Sequence, residues 1–281
     1  MKPFFIISQY CLPQHALSRF IGRLMNTRQV WLKNALITWF VKRYGVDMSQ
    51  AAEKNPLAYP TFNEFFIRHL KPDARPIIEN ASTILSPADG QISQLGKIQD
   101  NTLFQAKGIH YSLQALLGDD EWAQYFEHGH FATIYLSPKD YHRAHMPLPG
   151  KLMAMRYIPG KLFSVNNLTT EHVPGLFARN ERAVCLFDTP QGKMVIVLVG
   201  AMIVASIHTA WSGQQVAPSS HKQINTIDYT HADITLRQGE EMGYFCLGST
   251  AIVLLANPHA TWLPTKTANS LVTMGEAIGT L

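Results

Sequence analysis

From about residue 80 onward the chain is a succession of short apolar runs, each broken within a few residues by Gly, Pro, Asn or Asp. This texture constrains the fold most, because apolar runs of four to eight residues between turn formers build strands and leave no room for long helices. The runs expected to be strands are Gly90–Leu95, His130–Leu136, Gly150–Tyr157, Ala183–Asp188, Lys193–Val199, Ile203–His208, Ile234–Leu236, Gly243–Cys246 and Ala251–Ala256. The longest apolar stretch, Met194 to Ile207, contains Gly200 and Ala201. It falls short of the roughly 20 residues that span a bilayer and reads as buried β-structure. Residues 112–127, rich in Leu, Ala, Asp and Glu, read as the one clear helix of this half. Many short strands with turns between them imply a mostly antiparallel sandwich or barrel.

The first 75 residues read differently. Residues 14–26 place Leu17, Phe20, Ile21 and Leu24 at helical spacing. Residues 28–44 repeat the pattern, with Trp31 and Trp39 near Lys33, Lys42 and Arg43. Residues 45–60 read as a short helix or turn, and 61–70 as another short helix before Asp73-Ala74-Arg75-Pro76 breaks the chain. Residues 1–50 hold seven cations against one carboxylate, Asp47, which leaves +6 there and −2 on the rest of a chain of net charge +4. Tryptophans beside cations suit a helix lying at a membrane surface, although a helical hairpin packed on the core with solvated cations has the same pattern.

The fold class expected is therefore α+β. A helical N-terminal membrane-facing segment, residues 1–75, sits on a mostly antiparallel β-sandwich or barrel-like body, residues 76–281. The apolar run Phe4-Phe5-Ile6-Ile7 is too short for a signal-peptide core. Cys11, Cys185 and Cys246 are odd in number and lack a CxxC, so they read as buried thiols of a reducing compartment.

Three clusters can carry chemistry. Ser86-Pro87-Ala88-Asp89-Gly90 taken alone reads as a turn bearing a carboxylate. Tyr141-His142-Arg143-Ala144-His145-Met146-Pro147 holds two histidines three apart, a spacing that can share a face on a helical turn. No ligand spacing for a metal accompanies them, so no metal is expected. Two histidines beside an arginine suit proton transfer and the binding of carboxylate or phosphate. Finally, Leu247-Gly248-Ser249-Thr250 sets a serine beside a sterically open glycine carbonyl, in a pattern common in loops.

The Asp of Pro-Ala-Asp-Gly, the paired histidines and Leu-Gly-Ser-Thr occur here in the order found in bacterial phosphatidylserine decarboxylases, which the chain resembles over nearly its whole length. Further blocks share the resemblance: residues 61–66 (TFNEFF), 159–166 (PGKLFSVN), 176–182 (LFARNER) and 199–204 (VGAMIV). The resemblance implies a proenzyme that cuts itself between Gly248 and Ser249, giving a β-chain of residues 1–248 and an α-chain of residues 249–281. Ser249 would become a covalent pyruvoyl cofactor, and a relay of Ser249, His145 and Asp89 would drive the cut. The mature enzyme would then decarboxylate phosphatidylserine to phosphatidylethanolamine through a Schiff base, with His142 positioning the carboxylate or delivering the proton.

The resemblance also implies a homodimer, peripheral on the cytoplasmic face of the inner membrane, with no nucleic-acid partner. Two other readings differ in class. One is a serine hydrolase using Ser249, His145 and Asp89, which lacks the GxSxG elbow. The other is a membrane-surface module without activity.

Overall fold

A computed structural model describes residues 2–77, 80–202, 206–212, 215–216, 223–246 and 249–281. The chain is α+β, and its named strands pair antiparallel. Four helices form the head: α1 (Lys2–Cys11), α2 (Gln14–Met25), α3 (Val30–Tyr44) and α4 (Phe62–Phe66). The body is built on β1 (Gly90–Lys97), β2 (His130–Leu136), β3 (Arg143–His145), β4 (Gly150–Ile158), β5 (Arg182–Thr189), β6 (Gly192–Gly200), β7 (Ser206–Thr209), β8 (Glu241–Cys246) and β9 (Ser249–Leu255).

Among the described residues the largest sheet has nine strands and runs Asn225–Asp228, β4, β5, β6, β9, β2, β1 and Leu271–Val272, with Thr235–Leu236 also paired to β4. A second sheet orders Gln215–Val216, β7, β8 and β3. A third joins Thr83–Leu85, Ala277–Thr280 and Thr261–Trp262.

The large sheet is apolar on both faces, which explains its uninterrupted hydrophobic runs. Along β6, Met194, Ile196 and Leu198 join the core shared with the second and third sheets, where Ile207, Phe245 and Ile278 lie. Val195, Val197 and Val199 point the other way, as period-2 alternation demands, into a core covered by short helices through Leu116, Trp122 and Phe177. The central strands are thus buried in a three-layer arrangement.

The expected strands are observed to within a few residues, except that 203–205 of the Ile203–His208 run lie outside the described residues. The expected helix over 112–127 is two helices, Leu113–Leu117 and Asp120–Gln124. Gly118 at φ +69° caps the first, and Asp119 accepts from the Trp122 amide to start the second. Cys185 and Cys246 are buried thiols, but Cys11 is exposed because it ends α1.

The head is fastened to the body by polar bonds. Gln9 and Gln14 accept from the backbone amides of Ser164 and Leu162, and the His15 ring meets the Gly160 carbonyl. Phe40 of α3 packs on Phe62, Phe65 and Phe66 of α4, which carries the head's own small core. Among the described residues no helix is long and apolar enough to cross a membrane.

Candidate active site

β3 pairs with β8 so that His145 lies opposite Glu241 and Arg143 opposite Tyr244, while the Phe245 amide bonds the His142 carbonyl. The motif containing both histidines is therefore extended. His142 and His145 do not share a face, as they could on a helical turn, because side chains three apart in extended backbone point to opposite sides. The register also sets their distances along the chain from β9. His142 is beside the end of β8 that leads toward Ser249, and His145 is at the other end.

Ser249 begins β9, a central strand paired along its length with β2 and β6. Its backbone lies opposite Leu136 and Gly200. Gly248 and the Ser249 side chain lie outside the described residues. From Leu136 the chain turns through Ser137–Asp140, closed by the Ser137 amide on Asp140 Oδ2 at 2.7 Å, and reaches His142. Leu136, opposite Ser249, thus leads to His142 within six residues.

The two imidazoles differ in what they hold. His142 is fully buried against Phe66 of α4, with ring centroids 4.1 Å apart. Its Nδ1 donates to the Asp140 carbonyl at 2.8 Å, which leaves Nε2 as a buried acceptor with no partner among the described residues. Burial lowers its pKa to about 3, so it is a neutral base at physiological pH. His145 is also kept neutral by burial. Its Nδ1 donates to the Gly239 carbonyl at 2.9 Å, and its Nε2 accepts from the Tyr141 hydroxyl at 3.1 Å. Burial raises the Tyr141 pKa, so the phenol keeps the proton it donates.

Asp89 precedes Gly90, whose φ is +158° and where a Cβ would lie 2.3 Å from the Tyr135 carbonyl oxygen. Only glycine lets β1 start so close to β2. The Asp89 carboxylate accepts from Arg75 Nη2 at 2.7 Å and from the Met274 amide at 2.7 Å. No Asp89–His145 side-chain hydrogen bond is present among the described residues. The two are neighbours through the backbone, since the His145 amide bonds the Pro87 carbonyl at 2.8 Å.

Tyr141 and Arg75, the latter in a segment expected only to break the chain, take their roles from partners distant in sequence or set by the fold. Neither role has a signal in local spacing. The motif arginine is expected, beside the histidines, to suit the binding of carboxylate or phosphate. Arg143 is instead committed, through Nη1 to Glu241 at 2.6 Å and through Nε to the Ile67 carbonyl at 2.8 Å.

The neutral, buried His142 imidazole, on the side of the start of a central strand and walled by a helix of the head, suits proton transfer away from water. The family model for phosphatidylserine decarboxylase matches residues 62–280, and a second model, described as PSD, matches residues 4–45. The chain is 54% identical over 280 residues to a phosphatidylserine decarboxylase proenzyme of Marinobacter nauticus, covering 99% of this chain and 97% of that protein. A protein of the same name from Ectopseudomonas mendocina is 55% identical over 277 residues, covering 98% and 97%. The chain belongs to the phosphatidylserine decarboxylase family. It is a carboxy-lyase of phospholipid metabolism made as a proenzyme.

Proposed function

We propose that the proenzyme cuts itself between Gly248 and Ser249, that Ser249 becomes the pyruvoyl group, and that the mature protein acts at a membrane surface. The observation that carries this reading is the placement of Ser249 as the first residue of a strand paired on both sides. A cut before it leaves the β9 ladder whole, so residues 249–281 stay anchored and the new terminus is held against β2 and β6. That position fits a covalent group, which would serve as an electron sink during loss of CO₂.

The chain's own residues supply the rest. His145 is the proposed base for Ser249, with Asp89 as its orienting carboxylate. The two are neighbours through the backbone, and the relay forms if His145 exchanges Tyr141 for the serine at Nε2 and the Gly239 carbonyl for Asp89 at Nδ1. His142, neutral and with Nε2 open, is the proposed group that positions the carboxylate or returns the proton. One observation favours a second assignment, His142 as the base of self-cleavage, because the register puts it on the Ser249 side with its lone pair unengaged.

Intact mass of His142→Ala and His145→Ala chains tests the division. Loss of cleavage only in His145→Ala supports the relay, and loss only in His142→Ala moves the base to His142. A wild-type chain that stays whole and inactive on phosphatidylserine overturns the pyruvoyl reading.

The head fits a membrane surface. On α2 it is Gln14, Ser18 and Gly22 that are buried against the protein, while Phe20 is 66% exposed. Trp31 and Trp39 of α3 are 72% and 58% exposed beside exposed cations. Each Lys or Arg near an anionic leaflet contributes about 1 kcal/mol.

A further inference from the structure

We infer that Arg68 is the residue that binds the phosphodiester of the lipid substrate. Four arginines are buried: Arg68, Arg143, Arg156 and Arg182. Arg182 spends Nε, Nη1 and Nη2 on the carbonyls of Leu116, Asn180 and Ala115. Arg156 spends the same three on Thr226, the Leu117 carbonyl and Asp119. Arg143 holds Glu241 and the Ile67 carbonyl.

Arg68 departs from this pattern. It is 4% exposed, its guanidinium lies 5.8 Å over the Phe65 ring, and of its hydrogen-bond donors only Nη2 is engaged, donating to the Lys139 carbonyl at 2.9 Å. Its Nε and Nη1 are buried and have no partner among the described residues, and no described carboxylate is within ion-pair distance. A buried guanidinium with idle donors is costly unless an anion completes it.

Its position points to the anion. Lys139 belongs to the Ser137–Asp140 turn that joins Leu136, opposite Ser249, to His142. Arg68 follows α4 by two residues, and Phe66 of α4 packs on the His142 ring. Arg68 therefore borders the reacting end of β9.

The substrate offers two anionic groups there, a carboxylate and a phosphodiester. As CO₂ departs, the carboxylate loses its charge. A guanidinium paired with it would stabilise the ground state more than the transition state and slow the reaction. The phosphodiester keeps its charge throughout and matches the fork of an arginine.

This inference rests on the decarboxylase reading, and the test separates the two. Wild type, Arg68→Gln and Arg68→Lys are compared as full chains. The substrates are phosphatidylserine and an O-alkyl serine of matched chain length without phosphate, both in phosphate-free detergent micelles. Arg68→Gln is expected to process like wild type. Its kcat/KM on phosphatidylserine should fall roughly 10- to 100-fold, mostly through KM, as expected for a lost charged hydrogen-bond pair. Arg68→Lys should recover part of this, and the phosphate-free substrate should be affected less than threefold.

Equal losses on both substrates, no loss on either, or a block in self-cleavage overturns the inference. A block in self-cleavage would place the idle donors on the new Gly248 carboxylate instead. If neither variant folds, wild type decides: glycerophosphoethanolamine should inhibit at least tenfold better than ethanolamine, and equal inhibition overturns the inference. Wild type inactive on phosphatidylserine sinks the underlying reading, whereas active wild type with indifferent variants sinks this inference alone.

Discussion

The body buries nearly all of its large apolar residues, whereas the head buries some in a small core and leaves others exposed. In β6 and β9 apolar residues alternate into two cores, and hardly any of their surface meets water. On α2 the buried positions are polar or small, Gln14, Ser18 and Gly22, and on α3 the buried Ile37 and Phe40 are joined by Lys33, whose ammonium donates to the carbonyls of Leu57 and Tyr59. Phe20, Trp31 and Trp39 are left outside. The lesson is that an amphipathic pattern gives the period of a helix but not which side its apolar stripe faces. An outward stripe among cations points to a surface other than water.

The largest expected effect lies in the body. Ser249→Ala should leave a single uncleaved 281-residue species without decarboxylase activity, by denaturing intact mass and CO₂ release. Cleavage in that variant would remove Ser249 from the reaction.

Next in size are core truncations on either side of the comparison. Leu254→Ala in β9 and Phe40→Ala in α3 should each cost about 2–5 kcal/mol of stability in urea titrations of the uncleaved chain. Phe40→Ala should also disturb the α4 wall and so lower activity in whatever fraction stays folded. If Phe40→Ala leaves both unchanged, the head has no core of its own.

A pH effect follows from His142. The unfolded imidazole titrates near 6.5, and the folded one is pushed to about 3 by burial. Between these values the unfolded chain binds a proton that the folded chain refuses. The stabilising contribution is therefore complete above pH 6.5 and declines as pH falls toward 3, by up to about 1.4 kcal/mol per unit. His145, lowered for the same reason, acts in the same direction. Urea midpoints of the Ser249→Ala chain at pH 7 and pH 5 check this, and His142→Gln should flatten its share of the slope.

The smallest effect on stability should come from the outward stripe. Trp31→Ser with Trp39→Ser should shift stability by no more than about 0.5 kcal/mol per site, as for other surface changes. The pair should still weaken sedimentation with anionic vesicles at least tenfold, given about 1.5–3 kcal/mol for burying each large side chain. Unchanged vesicle binding would return the head to the simpler role of a packed helical hairpin.

Residues 80–281 carried most of their architecture in local pattern, because a strand buried on both faces must be apolar along its length and a turn must use residues that tolerate it. Ser249, His145, Asp89 and His142 were legible only as motifs in a familiar order; nothing in their spacing says how they meet. Tertiary structure alone decided three things. It put His142 in an extended segment on the Ser249 side, because β3 pairs with β8 in one register. It tied up Arg143 with Glu241 and left Arg68 with idle donors, because hydrogen-bond satisfaction depends on neighbours distant in sequence. It left Phe20 of α2 exposed while Gln14 and Ser18 were buried, because Gln9, Gln14 and His15 found backbone partners at residues 160–164. Sequence periodicity determines which elements form, and the long-range pairing of polar groups determines which faces and which side chains remain free to act.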